Sequence, residues 1–428
     1  MKRLLLATAA LFAAPLHAET VAITGATIAT GEEVAPSQGN VVIRDGRVVG
    51  IGNVAVPAGA RIIDGTGKWV SPGIVAGFTR LGLVGVDAVD ETNDASARTS
   101  PFSASLDVST AINPRVPAIA VSRAAGVTRA IVAPEAASAM FAGQGALIDT
   151  ASRTDIVDKA RAFQFVEFGE NGARRAGGSR TAAQAWFRNA LEQARSFARN
   201  PASYDGNSKD ALLNRSDAAA LVPVIEGRQP LYVHVESGPD ILQMLSLKRE
   251  FRALKLVLVG VSEGWTVARE IAAAGVPVIA SPTNDLPASF EALAATQSNV
   301  GRLRAAGVEV AIGMIDDDDA RQAQLSMQRA GNLVALSKVP GATGLNWGQA
   351  FATITSVPAR IAGMTDVGTL KPGARDVVMW SGDPLELSTL AERVWIDGVE
   401  QPMETRQSRL LKRYLTPQEG AMPKAYDR

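Results

Sequence analysis

The strongest constraint on this chain is a change of rhythm along it. Between residues 71 and 363, apolar runs of four to seven residues alternate with longer alanine-rich stretches of helical character. The clearest runs are 74–80, 128–133, 231–235, 256–260, 276–280 and 308–312, with helical segments such as 239–251, 266–274, 288–295 and 321–336 between them. Continuous apolar strands separated by helices form a parallel sheet buried on both faces. Two weaker runs, 146–148 and 163–166, would bring the strands to eight, enough to close a barrel. An open doubly wound sheet is the rival, and periodicity does not separate the two.

Both flanks read differently. Val41-Val42-Ile43-Arg44-Asp45-Gly46-Arg47-Val48-Val49 places two β-branched runs around an Asp-Gly, a hairpin signal. Asp376-Val377-Val378-Met379-Trp380 and Arg393-Val394-Trp395-Ile396-Asp397-Gly398 are strands that end in turn residues. A β-rich start and a β-rich end around an α/β middle predict one small domain built from both ends. The expected divisions are a leader at 1–18, β-rich segments at 19–70 and 366–405, a barrel at 71–365 and a polar tail at 406–428.

Composition narrows the chemistry. The 428 residues contain no cysteine and two histidines, so thiolate metal sites and cysteine nucleophiles are excluded. Basic and acidic side chains number 43 each, which gives no electrostatic reason for nucleic acid or an anionic membrane as partner. Lys2 and Arg3 precede an apolar run, Leu4 to Ala14, that is too short to span a bilayer, and Pro15-Leu16-His17-Ala18 follows as a small-residue cleavage site. That order predicts a signal peptide, export to the periplasm and a mature chain whose one histidine is His234. No later segment predicts a transmembrane anchor.

A further set of residues carries a family resemblance. Ile62-Ile63-Asp64-Gly65-Thr66-Gly67-Lys68, Ser71-Pro72-Gly73-Ile74-Val75 and Gly126-Val127-Thr128 stand in order. Gly143-Gln144-Gly145-Ala146-Leu147-Ile148 and Gly368-Thr369-Leu370-Lys371-Pro372-Gly373-Ala374-Arg375-Asp376-Val377-Val378 follow, then Gly382-Asp383-Pro384-Leu385. In these motifs the chain resembles the amidohydrolase superfamily, near its imidazolonepropionase-like members, from about Val21 to Pro402. The resemblance implies a distorted (β/α)8 TIM barrel plus a small β-sandwich from both chain ends. It also implies a zinc or other divalent-metal hydrolase acting on non-peptide carbon–nitrogen bonds.

The metal positions of that family read differently here. Where an aspartate and a His-x-His pair follow the Pro-Gly of the first strand, this chain has Ala76, Phe78 and Arg80. A phenyl ring and a guanidinium offer no lone pair to a metal. The fifth strand keeps its histidine, His234, whereas the sixth, Leu258-Val259-Gly260-Val261-Ser262-Glu263, has none. After the eighth strand a strict register puts Ile315 in the aspartate position and a one-residue slip puts Asp316 there; we take Asp316.

His234 and Glu236, two apart on a strand, face the same way. With Asp316 and Glu263 they could make a poor His-plus-carboxylate metal site, but no cofactor is expected. Asp317 to Asp319 read as helix-start charge, and Arg174, Arg175 and Arg180 beside Gly177-Gly178 as a solvated loop, with a clamp for an acidic substrate as the alternative. Two readings stand. One is a hydrolase with altered chemistry, His234 and Asp316 catalytic, Arg80 and Glu236 binding the substrate, and Arg80 replacing the metal's charge. The other is a non-catalytic barrel, plugged by Phe78, that binds a small molecule, forms a homo-oligomer or pairs with a metal-competent paralogue.

Overall fold

A computed structural model describes residues 20–86, 88–315 and 322–415. The expected leader and Asp316 to Asp319 lie outside the described residues. Two eight-stranded sheets organise the chain. The first takes β1 (Val21–Ile28), β2 (Ser37–Arg44), β3 (Arg47–Gly52), β4 (Arg61–Asp64) and β5 (Trp69–Ser71) from the start of the sequence. β14 (Val377–Trp380), β15 (Ala391–Ile396) and β16 (Val399–Glu400) come from its end, and β14 lies antiparallel to β5, so the two ends meet in one sheet. Asp45-Gly46 turns β2 into β3 with φ of 50° and 75°, and Asp397-Gly398 turns β15 into β16 with 52° and 71°. Paired positive φ values are what an Asp-Gly hairpin turn supplies.

The second sheet runs in chain order: β6 (Ile74–Thr79), β7 (Val127–Val132), β8 (Phe141–Asp149), β9 (Val157–Glu167), β10 (Leu231–Val235), β11 (Leu256–Gly260), β12 (Val278–Ala280) and β13 (Val310–Ile312). Met314 N donates to Phe78 O at 3.0 Å, bringing the last strand back to the first in a nearly closed barrel. A Cβ on Gly77 would stand 2.4 Å from Ile312 O, so the two strands approach this closely only around a glycine. The barrel reading therefore prevails over the open sheet.

One strand departs from the expected pattern. β8 is antiparallel to both β7 and β9. Its connections, 133–140 and 150–156, contain no helix and are too short for the crossover that a parallel neighbour requires. Elsewhere the expected helix at 288–295 is only a single 3-10 turn, Phe290–Ala292. The 20-residue helix Arg180–Arg199 buries Ala183, Phe187, Ala190, Leu191 and Ala194, the spacing of one helical face.

Alternation along the strands divides the core. Leu231, Val233, Leu256 and Leu258 pack outward against the helices, while Tyr232, Val257 and Val259 fill the barrel interior. Phe163 stacks on Tyr232 with centroids 4.1 Å apart, and Phe78 meets Phe165 at 5.5 Å.

Several of the motifs that carry the family resemblance meet where the barrel's N-terminal end rests on the first sheet. Trp380 Nε1 donates to Ser71 Oγ at 2.8 Å. A Cβ on Gly73 would lie 2.0 Å from Thr128, and one on Gly126, at φ 84°, 2.2 Å from the Trp380 ring. Arg129, fully buried on β7, donates from Nε and Nη2 to Asp376 at 2.7 and 2.9 Å. It also bonds Asp397 at 2.8 Å and Asp158. Burial raises the Asp149 carboxyl beside it to about 6 against the opposing influence of the Ala151 amide, Arg129 and Arg153.

Candidate functional site

The opposite end of the barrel holds a cavity of about 210 Å³ at the C-terminal ends of its strands. Phe78 and Arg80 come from the end of β6, Phe165 and Glu167 from β9, and His234 and Glu236 from β10. Ile315 follows β13, and Asn171 and Arg175 lie on the helix Gly169–Arg175. Three of the four expected site residues, His234, Arg80 and Glu236, thus share one pocket. The fourth, Asp316, lies outside the described residues, immediately after Ile315.

His234 is held by register. It sits directly across from Glu167 in the parallel pairing of β10 and β9, and Phe168 N donates to its carbonyl at 2.9 Å. The ring Nδ1 lies 2.9 Å from Glu167 Oε2 and Nε2 lies 2.8 Å from Glu236 Oε1. Glu236 is fixed in turn, its Oε2 accepting from Ser262 N at 2.7 Å. Ionised carboxylates only accept hydrogen bonds, so the ring state that satisfies both carries a proton on each nitrogen.

The electrostatics agree with that state. Burial opposes the imidazolium charge most strongly, but the charges and hydrogen bonds of Glu167 and Glu236 outweigh it and hold the ring pKa well above its ordinary value. Burial likewise works against the Glu167 carboxylate, yet His234, Arg175 and Arg80 bring its pKa below the usual range.

Arg80 is 7% exposed and faces the pocket, and Phe78, 1% exposed, packs on Phe165. The plug and the pocket coexist: the phenyl ring occupies the barrel axis, and a small chamber remains above it. Glu263 is drawn away from the site, accepting from Gly238 N at 3.1 Å and Ala294 N at 3.0 Å to pin two loops.

The arginines read as a solvated loop divide. Arg174 is exposed, and Arg180 bonds Asp240 at 2.8 Å. Arg175 instead lines the pocket, its Nε, Nη1 and Nη2 donating to the carbonyls of Ala137, Asn171 and Ala136. Sequence reasoning missed Arg175 and Glu167. The signal for Glu167 was its place one residue beyond an apolar run, where a barrel strand delivers its side chains to the mouth. Among the described residues, no group of three or more histidine, aspartate or glutamate side chains is arranged to hold a metal ion. No helix among them is long and apolar enough to cross a membrane.

No family model matches the chain. Over 411 residues it is 26% identical to Amidohydrolase tasK of Hapsidospora irregularis, covering 85% of this chain and 40% of that protein. The chain therefore spans less than half the length of that curated relative. An amidohydrolase from Thermotoga maritima MSB8 shares the fold with a TM-score of 0.78 at 24% identity, over 89% of this chain and 99% of that one. Molinate hydrolase follows at 0.53 and 18% identity, over 95% and 98% of the two chains. N-isopropylammelide isopropylaminohydrolase from Burkholderia multivorans ATCC 17616 stands at 0.51 and 18%, over 89% and 98%. At these identities the solved structures establish the fold alone, which the curated relative joins with a likeness in sequence. In sequence and in fold, this chain resembles the amidohydrolase superfamily.

Proposed function

We propose that this chain is a small-molecule-binding protein on an amidohydrolase scaffold, one whose barrel mouth does not run metal-dependent hydrolysis. The observation that carries this reading is the pair of carboxylates, Glu167 and Glu236, on the two nitrogens of His234. A ring protonated on both nitrogens has no lone pair for a metal and no capacity to accept a proton as general base. Phe78 and Arg80 stand where the resemblance asks for histidines, and neither can ligate. The residues present do not fit the divalent metal of the family.

What remains suits recognition. Arg80, Arg175 and the His234 imidazolium place three cations around a chamber that also holds Glu135, Glu167 and Glu236. A small polar molecule carrying a carboxylate would find the guanidinium fork of Arg80 as partner. The basic, apolar and small-residue order of residues 1–18 supports export, and a mature N-terminus at Glu19 by mass spectrometry would check it.

Elemental mass spectrometry of the dialysed protein is the test. A metal content well below one per chain is expected. One tightly held zinc or manganese per chain, released by His234→Gln, would overturn the proposal. The names of the relatives favour a second reading, a hydrolase of non-peptide carbon–nitrogen bonds that uses Asp316 as base. Hydrolysis of cyclic or linear amides that resists chelators and disappears in Asp316→Asn would establish that reading instead.

A further inference from the structure

The end of the barrel away from the mouth carries a second cavity, of about 510 Å³, between one face of the helix Pro117–Ala124, the β8–β9 connection and the segment that leads into the helix Arg406–Leu415. Its wall contains a buried guanidinium. Arg123 is 5% exposed, and its bonds run to carbonyl oxygens only: Nε to Pro402 O at 3.1 Å and Nη1 to Thr150 O at 2.7 Å. Arg129, six residues on, has three aspartates within hydrogen-bond distance. Among the described residues Arg123 has none, and burial alone lowers its pKa. Buried charges are ordinarily paired, so its positive charge looks for a counter-charge within the cavity it lines.

The rest of the lining has the same sign. Arg115, Arg406 and Arg409 are exposed at the rim, and among the described residues no carboxylate bonds any of them. Arg153 shares its charge with Asp149 and Asp397, and Glu404 is the one acidic residue of the lining. We propose that this cavity binds a phosphate-type dianion, either inorganic phosphate or the phosphate group of a small monoester. Guanidinium forks match the oxygens of such a group in pairs, and Arg123 would form the floor of the site with Arg115 and Arg406 closing over it.

Calorimetric titration of the full chain with inorganic phosphate, and separately with glycerol 3-phosphate, tests this at ionic strength held constant with potassium chloride. Saturable binding is expected, weakened at least tenfold in the double variant Arg115→Ala/Arg406→Ala. Both of its positions are exposed, so folding survives, which Arg123→Gln does not guarantee. A tenfold preference for glycerol 3-phosphate would identify a monoester as the ligand, and equal affinity the phosphate group itself. Heat no greater than that of added chloride would overturn the proposal, as would binding unchanged in the double variant. Loss of binding in His234→Gln would also overturn it, by moving the anion to the mouth.

Discussion

The two ends of the barrel use buried charge in opposite ways. At the N-terminal end, Arg129 is surrounded by Asp376, Asp397 and Asp158, each delivered by a different strand, and the cluster joins the barrel to the first sheet. At the mouth, His234 is flanked by Glu167 and Glu236 beside a solvent-reaching cavity. The family-like motifs Ser71-Pro72-Gly73, Gly126-Val127-Thr128 and Gly373 to Val378 all lie at or beside the first end. Phe78 and Arg80, which the resemblance sets at metal positions, lie at the second. A resemblance carried by scaffold residues therefore speaks to fold, and chemistry must be argued from the mouth.

Substitutions at the two ends should separate accordingly. Arg129→Ala leaves the buried carboxylate of Asp376 without its counter-charge, and a loss of about 3–5 kcal/mol is expected in urea unfolding. A loss below 1 kcal/mol would mean that the cluster does not hold the sheet to the barrel. Gly126→Ala drives a methyl group into the Trp380 ring at a positive φ, for about 2–3 kcal/mol. Circular dichroism melts should show that loss at every pH, with ligand binding at the mouth untouched.

His234→Gln is expected to lose about 2 kcal/mol at neutral pH, the scale of hydrogen bonds to charged groups. This loss should depend on pH. The ring's raised pKa gives stability that is complete below its ordinary 6.5 and disappears as pH climbs through the folded value. The lowered pKa of Glu167 gives stability that is complete above 4.5 and disappears as pH falls through its own folded value. The difference between wild type and variant should thus be greatest between these limits and shrink in alkali. A flat difference across that range would break the contrast between the two ends. Glu167→Gln should have the smallest effect, about 1 kcal/mol, yet it should lower the His234 pKa measured by NMR titration of the ring. An unchanged pKa would show that Glu167 does not hold the proton.

Strands with a strong apolar run were legible in advance. Leu231–Val235 and Leu256–Gly260 fall where the sequence puts them, because both faces of a barrel strand are buried. The hairpin at Asp45-Gly46 was legible because its turn chemistry is local. β8 and β9 were seen only in fragments. Gly143 and Gly145 interrupt the first, and Lys159 to Arg161 occupy an exposed stretch of the second, so neither reads as a continuous apolar strand.

The partnership of Glu167 with His234 is 67 residues long-range and leaves no periodic mark. Its visible trace is a carboxylate just beyond an apolar run. Arg175 was misread for a similar reason. Nothing local distinguishes a solvated arginine from one whose guanidinium is gathered in by the carbonyls of a distant loop.

The Arg129 cluster also sets an order in time. A ribosome delivers Arg129 long before Asp376 and Asp397, which stand in the last strands of the chain. Every barrel strand can emerge while this guanidinium still lacks two of its counter-ions, and dehydrating it at that stage is unfavourable. The base of the barrel gains its full set of counter-charges only when the last strands of the chain are in place.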